Sequence, residues 1–229
     1  MEKILFLIII SFVFISCETD KKNTNKNYSN EFISVSNDKI IQKEIKHYAK
    51  DTVLSSGWNI HYFLKNNERK EKDLYIKISN EHFVNTFLAE NVLEYRRYFT
   101  PTFLTETNDN VIFKYGCATD CGAILLMSKN ELKNKEYLHI VEFNKKRKIL
   151  TYITDNTYKN EDNLFEIGIV NFKNKIEKTL KLNKMTSAVY KPSAIDTIIY
   201  KENEIIIVTN LRENITVNEP TKKKSVIKI

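Results

Sequence analysis

The chain has 229 residues, with 36 Lys and Arg against 29 Asp and Glu, for a net charge of +7. Hydrophobic residues at 42% and aromatics at 11% are enough for a packed core, which excludes a globally disordered chain. The basic residues are scattered and mostly alternate with acids, without an aromatic-rich basic motif, so no nucleic-acid partner is expected.

At the start, Glu2 and Lys3 lead into an apolar run from Ile4 to Ile15, followed by Ser16-Cys17. The run is shorter than the about 20 residues that a spanning helix needs, and fits a signal-peptide core. A small residue followed by Cys at the end of such a run resembles the lipobox of bacterial lipoproteins. That resemblance implies a signal peptide over 1–16, cleavage before Cys17 and acylation of its thiol and new amino group. It implies a chain held to a membrane through lipid on Cys17, in the cell envelope, expected at the outer membrane of a Gram-negative bacterium. Glu18 and Asp20 follow, then Lys21 and Lys22, and the leaflet stays open. Residues 17–36 read as the acylated Cys and a polar tether, which as a flexible coil reaches on the order of 25 Å.

Residues 37–218 read as a single α+β domain, β-rich from about 102. Asn37 to Ala49 is expected to be helical, with Ile40, Ile41, Ile45 and Tyr48 at helical spacing. Trp58–Leu64 and Asp73–Ile78 predict a hairpin around the charged turn 66–72. A second helix is expected after Ser79 or Asn80. Its stripe would be Phe83, Val84, Phe87, Leu88, Val92 and Tyr95, ending before Pro101.

From Thr102 the pattern becomes short β runs. Val111–Tyr115 and Ala123–Met127 flank a cysteine loop. Further pairs are Tyr137–Phe143 with Ile149–Thr154, Phe165–Phe172 with Ile176–Leu182, and Ile195–Tyr200 with Ile205–Thr209. The last three hairpin turns fall near 146, 174 and 203, a spacing of about 29 that suggests a weak antiparallel repeat. A meander or sandwich is expected; a full propeller of four blades at about 40–45 residues each is judged too long for the chain. Residues 219–229 read as a basic tail with a terminal strand over Ser225–Ile229. With 26 Asn and only 4 Gly, Asn is expected to take over turn positions, including left-handed ones.

The sharpest internal motif is Gly116-Cys117-Ala118-Thr119-Asp120-Cys121-Gly122 between two β runs. It resembles loops of uncharacterised Bacteroidetes lipoproteins, over this segment only, and that resemblance implies no activity. The leading reading is a disulfide, Cys117–Cys121, closing the hairpin mouth and restricting the unfolded chain by about 2 kcal/mol. The rivals are thiol-redox work, zinc and a free catalytic thiol. Redox enzymes of the thioredoxin type have two intervening residues, not three. Zinc would need further ligands, and His47, His61, His82 and His139 are isolated. No metal or cofactor is expected.

Thr119 and Asp120 read as turn acceptors, and His139 as a residue within a β run. Trp58, Ile60 and Tyr62 share a strand face and read as core. The acids Glu161, Asp162, Asp155 and Glu166 fall where nothing in the sequence fixes a catalytic separation. There is no phosphate loop, nucleophile elbow or zincin motif. The sequence therefore points to a non-enzymatic envelope lipoprotein that binds a protein or cell-surface partner. The alternative is a small hydrolase or thiol-redox enzyme using the Cys117/Cys121 loop.

Overall fold

The structure, a computed structural model, describes residues 33–34, 50–69, 72–91, 99–116, 121–159, 165–182, 194–211 and 221–229. They form four antiparallel sheets. The first sheet holds β1 (Ile33–Ser34), β2 (Thr52–Val53), β3 (Asn59–Asn66), β4 (Lys72–Ser79) and β5 (Val84–Asn91), with β1 and β2 both paired to β3. The second is a meander of β6 (Thr102–Glu106), β7 (Asn110–Gly116), β8 (Gly122–Ser128) and β9 (Asn134–Tyr137). The third repeats that plan with β10 (Ile140–Asn144), β11 (Ile149–Ile153), β12 (Phe165–Asn171) and β13 (Ile176–Leu182). The fourth has β14 (Ile195–Tyr200), β15 (Glu204–Leu211) and β16 (Thr221–Lys228). A five-residue helix, α1 (Asp155–Lys159), lies between β11 and β12.

The sheets pack face to face through three apolar layers. Ile60, Tyr62 and Leu64 of β3 and Leu74, Ile76 and Ile78 of β4 meet Val111 and Phe113 of β7 and Leu125 and Met127 of β8. The opposite faces of β7 and β8, with Ile112, Ile124 and Leu126, meet Leu150 of β11 and Val170 of β12. The far face of β11 and β12, with Ile149, Ile167 and Ile169, meets Ile205 and Ile207 of β15. Strands β7, β8, β11 and β12 are therefore covered on both faces, and the alternation of a half-buried strand is blurred in them, most in the run Ala123–Met127 of β8. Each fully buried Ile, Leu or Phe in these layers contributes about 1.5–3 kcal/mol relative to exposure.

This architecture corrects the expected α+β class with N-terminal helices. Among the described residues, sixteen strands stand against one short helix. Residues 37–49, where the first helix was expected, lie outside the described residues. The second expected helix is strand β5. Phe83, Asn85, Phe87 and Ala89 turn inward at period two, while Val84 and Leu88 are half exposed. The same apolar residues satisfy both periods, and the unpaired edge of β4 decides for the strand. The capping expectation at Asn80 fits a different element. Its Oδ1 accepts the N–H groups of His82 (2.9 Å) and Phe83 (2.7 Å), as a helix cap would, and closes the β4–β5 turn.

The hairpins expected from β3 to β4 and from β7 to β8 are present, with Asn66 opposite Lys72 and Gly116 opposite Gly122. The run expected from Tyr137 to Phe143 is broken at His139, whose φ of 53° turns the chain out of the second sheet and into the third. The turns near 146 and 174 belong to two hairpins of one sheet, and the turn near 203 opens the next. The 29-residue spacing is thus not one repeated unit. The recurring unit is the meander, over 102–137, 140–182 and 195–228. Four sheets do fit in this chain, against the length argument made from the sequence, because each of these three units spans fewer residues than the about 45 allowed for a blade. The terminal strand begins at Thr221, earlier than expected. Among the described residues no helix is long and apolar enough to cross a membrane.

Candidate functional site

A groove opens where the second sheet meets the third. It consists of two adjoining depressions of about 520 and 430 Å³, and Lys135 and Tyr137 of β9 line both. The groove lies between two sheet edges, because β9 ends the second sheet and β13 ends the third.

Leu126, Val170 and Phe172, all buried, floor the larger depression. Tyr137 stands edge-on to Tyr152 (5.0 Å between centroids) and to Phe172 (6.2 Å), an arrangement that suits the ring quadrupoles. The walls are charged and internally matched. Lys135 Nζ lies 2.8 Å from Glu177 Oε2 and 4.6 Å from the centre of the Tyr137 ring. Lys175 lies 3.1 Å from Asp109, and Lys133 lies 3.0 Å from Glu131. Tyr152 Oη donates to Glu177 Oε1 at 3.1 Å.

Burial pushes the Tyr152 phenol well above its ordinary value, and the Glu177 carboxylate adds to the shift. Tyr137 is pushed up by burial too, with Lys135 opposing. Burial alone would lower Lys135, but its bonds to Glu177 and Tyr137 outweigh that and hold it above the usual lysine value. At neutral pH the groove therefore presents neutral phenols and a charged lysine.

The smaller depression is acidic. Glu136 accepts the hydroxyl of Tyr115, and burial, reinforced by Glu136, pushes the Tyr115 phenol up. Asp155 and Asn156 of α1 and Glu166 of β12 line it as well, and Lys135 is the one cation lining this depression among the described residues. α1 is docked by Thr157, whose Oγ1 donates to Glu166 O (3.0 Å) and accepts from Glu166 N–H (2.8 Å). Asn156 Nδ2 donates to Glu166 Oε2 at 3.3 Å. Thr154 Oγ1, on the same wall, is shut away from solvent with no hydrogen-bond partner among the described residues.

The rim loop 128–133 is fixed from the first sheet. Asn85, 2% exposed, directs Nδ2 at the carbonyl oxygens of Ser128 (3.0 Å), Glu131 (3.3 Å) and Lys133 (3.4 Å) and at Asn134 Oδ1 (3.1 Å). Ser128 Oγ accepts the N–H groups of Asn130 and Glu131.

Of the residues singled out in the sequence, Cys17, His47, Cys117, Thr119, Asp120, Glu161 and Asp162 lie outside the described residues. Cys121 sits at the loop mouth, one step beyond the Gly116–Gly122 pair. His61 pairs with Asp51 (2.6 Å) and stacks on Phe63. His82 lies in the β4–β5 turn, and the His139 carbonyl accepts the N–H of Ile153 at 3.0 Å. Among the described residues no group of three His, Cys, Asp or Glu side chains converges as a metal site would require. Trp58, Ile60 and Tyr62 lie in the core.

Asp155 and Glu166, read as a pair of loop acids, lie instead at the start of α1 and within β12, and line the same depression. Sequence reasoning missed Lys135, Glu177 and Tyr152, because they meet only when two sheets with distant sequences pack. The run Lys135-Glu136-Tyr137 offered no periodic signal of its own. No protein-family model, no curated protein and no solved structure matches this chain.

Proposed function

We infer that the chain is a lipid-anchored envelope protein acting as a non-enzymatic binding module, with the groove between the second and third sheets as its contact surface. The observation that carries this reading is the groove itself: an apolar, aromatic floor between matched charged walls, open along two sheet edges. Such a mixture of a dry floor and a polar rim suits recognition of a macromolecular surface. The anchor rests on the apolar run ending in Ser16-Cys17, and the tether over 18–36 gives the folded part reach from a membrane. The same reading keeps a Cys117–Cys121 disulfide: both cysteines adjoin in sequence the last ladder pair, Gly116 with Gly122, and an envelope chain meets an oxidising compartment.

Two measurements test it. Intact mass of protein extracted from membranes should show a chain beginning at a diacylated or triacylated Cys17, with two further thiols alkylated only after reduction. A chain beginning at Met1 in the soluble fraction removes the anchor. Thiols that alkylate without reduction move the cysteine loop to the head of the candidate active sites. For binding, a photo-crosslinking amino acid replaces Leu138, on the groove, or Val226, on the outer face of the fourth sheet. Adducts in native membranes from position 138 and not from 226 are expected. Their absence from both positions overturns the binding reading.

A further inference from the structure

Among the described residues only one side of β9 is paired, the side facing β8. The bond from Ser128 N–H to Lys133 O (3.1 Å) sets the alternation of this ladder, so residues 133, 135 and 137 direct their backbone groups toward β8. The N–H and C=O groups of Asn134 and Glu136 therefore point outward along the groove. Exposed edges are usually blunted by lysine, and β13 and β16 conform, with exposed Lys178, Lys181, Lys222, Lys223 and Lys224. The single lysine of β9, Lys135, is instead drawn across to Glu177, which pairs its charge. The edge is left open to a strand.

We propose that the groove takes an extended peptide segment of a protein partner as an added strand on β9, with an apolar side chain and a basic side chain two residues apart seated in its two depressions. This rests on the binding reading above and names the class of partner. Side chains at i and i+2 of an added strand fall on one face, here the face toward the third sheet that Lys135 and Tyr137 share. The larger depression, with its charges paired and its floor formed by Leu126, Val170 and Phe172, suits an uncharged apolar side chain. The smaller one, lined by the acids Asp155 and Glu166, suits a cation that also donates hydrogen bonds. Main-chain bonds to Asn134 and Glu136 give affinity, and the two side chains set the choice of partner.

The probe is a fluorescein-labelled hexapeptide of threonines carrying leucine at one position and lysine two residues later. Its anisotropy is followed against the full folded chain. Saturable binding is expected, weakened about threefold or more when norleucine replaces the lysine, in line with the loss of one charge-assisted contact. N-methylation of the amides that face β9 should weaken binding at least about tenfold, the equivalent of one or two backbone hydrogen bonds, while methylation of the alternate amides should not. On the protein, Glu136→Pro and Glu136→Gln both remove the carboxylate, but only the proline removes the outward N–H, and only it should abolish binding. If Glu136→Pro does not fold, the methylated peptides on the unaltered chain decide alone.

Equal affinity of both methylated series, or no saturable binding of the parent peptide, overturns strand addition. Adducts at position 138 in that case leave the binding reading standing, whereas their absence removes both.

Discussion

Lys129 Nζ lies 2.6 Å from Glu106 Oε2, with only 5% of the lysine side chain exposed, and 5.7 Å from the centre of the Trp58 ring. The same ammonium donates to Thr107 O at 2.9 Å, and Ser56 Oγ donates to Glu106 Oε2 at 2.5 Å. Ser56 and Trp58 belong to the first sheet's β2–β3 connection, whereas Glu106 and Lys129 belong to the second sheet. An ion pair of the second sheet thus reaches the first through Ser56 and Trp58, a polar link beside the one that Asn85 makes.

Burial alone would raise the Glu106 carboxyl, but the bonds from Lys129 and Ser56 outweigh it and hold it below the usual value. A lowered folded value means that the stabilisation is present above the unfolded value, near 4.3, and is lost as pH falls through the folded value. Lys129→Met should cost about 2–4 kcal/mol at pH 7, because it strands a carboxylate that is largely out of water. Adding Glu106→Gln should recover part of that loss and flatten the acid limb of the stability profile. Urea midpoints between pH 3 and 7 check both. Additive single losses would mean that the pair is not coupled.

Asn85 places a single amide where four acceptors converge. Asn85→Ala should cost about 2–3 kcal/mol, since the carbonyls of the 128–133 loop lose a buried donor, and amide exchange should rise in that loop before it rises in β7 or β8. Asn85→Asp should be worse at neutral pH, because a carboxylate would face oxygen atoms only. Its folded carboxyl value would be raised, so the penalty should be smallest below about pH 4 and grow as pH rises.

Gly168 is required by its neighbour. A Cβ at this position would fall 2.2 Å from ring atoms of Tyr152, which lies across from it on β11. Gly168→Ala must therefore push the ring into the groove, away from Glu177, at about 1–3 kcal/mol. Tyr152→Ala in the same chain should relieve the clash, so the double variant should be more stable than the sum of the singles predicts. Hydrogen–deuterium exchange across β11 and β12 would show whether the ladder stays intact.

Much of the β content was legible. Runs such as Val111–Tyr115 and Ile149–Thr154 form strands, and the charged turns at 66–72, 144–148 and 201–204 join them. What misled was period. Phe83, Val84, Phe87 and Leu88 suit a helix as well as a strand, and only the need of β4 for a partner resolves it. The stacking of sheets left its trace in runs such as Ala123–Met127, apolar on both faces, but a two-faced strand does not say which sheets cover it. For the same reason Lys135 and Glu177 could not be joined from sequence. Asn serves the turns differently from the expectation. Asn67, Asn80, Asn144 and Asn171 supply Oδ1 acceptors to backbone N–H groups two or three residues on. The described left-handed residues other than glycine are His139, Lys148 and Lys175.

That substitution of lysine for glycine yields a sign test. Lys175, at φ 59°, closes the turn before β13, and its exposed pair with Asp109 contributes little. Left-handed geometry costs a residue with a Cβ about 1 kcal/mol or more, which glycine escapes. Lys175→Gly and Lys175→Ala lose the same ion pair, so their difference isolates the backbone. Glycine should be the more stable of the two by about 1 kcal/mol. At Lys178, two positions into β13, the order should reverse, because glycine in a strand costs about 0.5–1 kcal/mol relative to alanine. Denaturant midpoints of the four variants suffice. The same order at both positions would mean that residue 175 does not hold the left-handed conformation in solution.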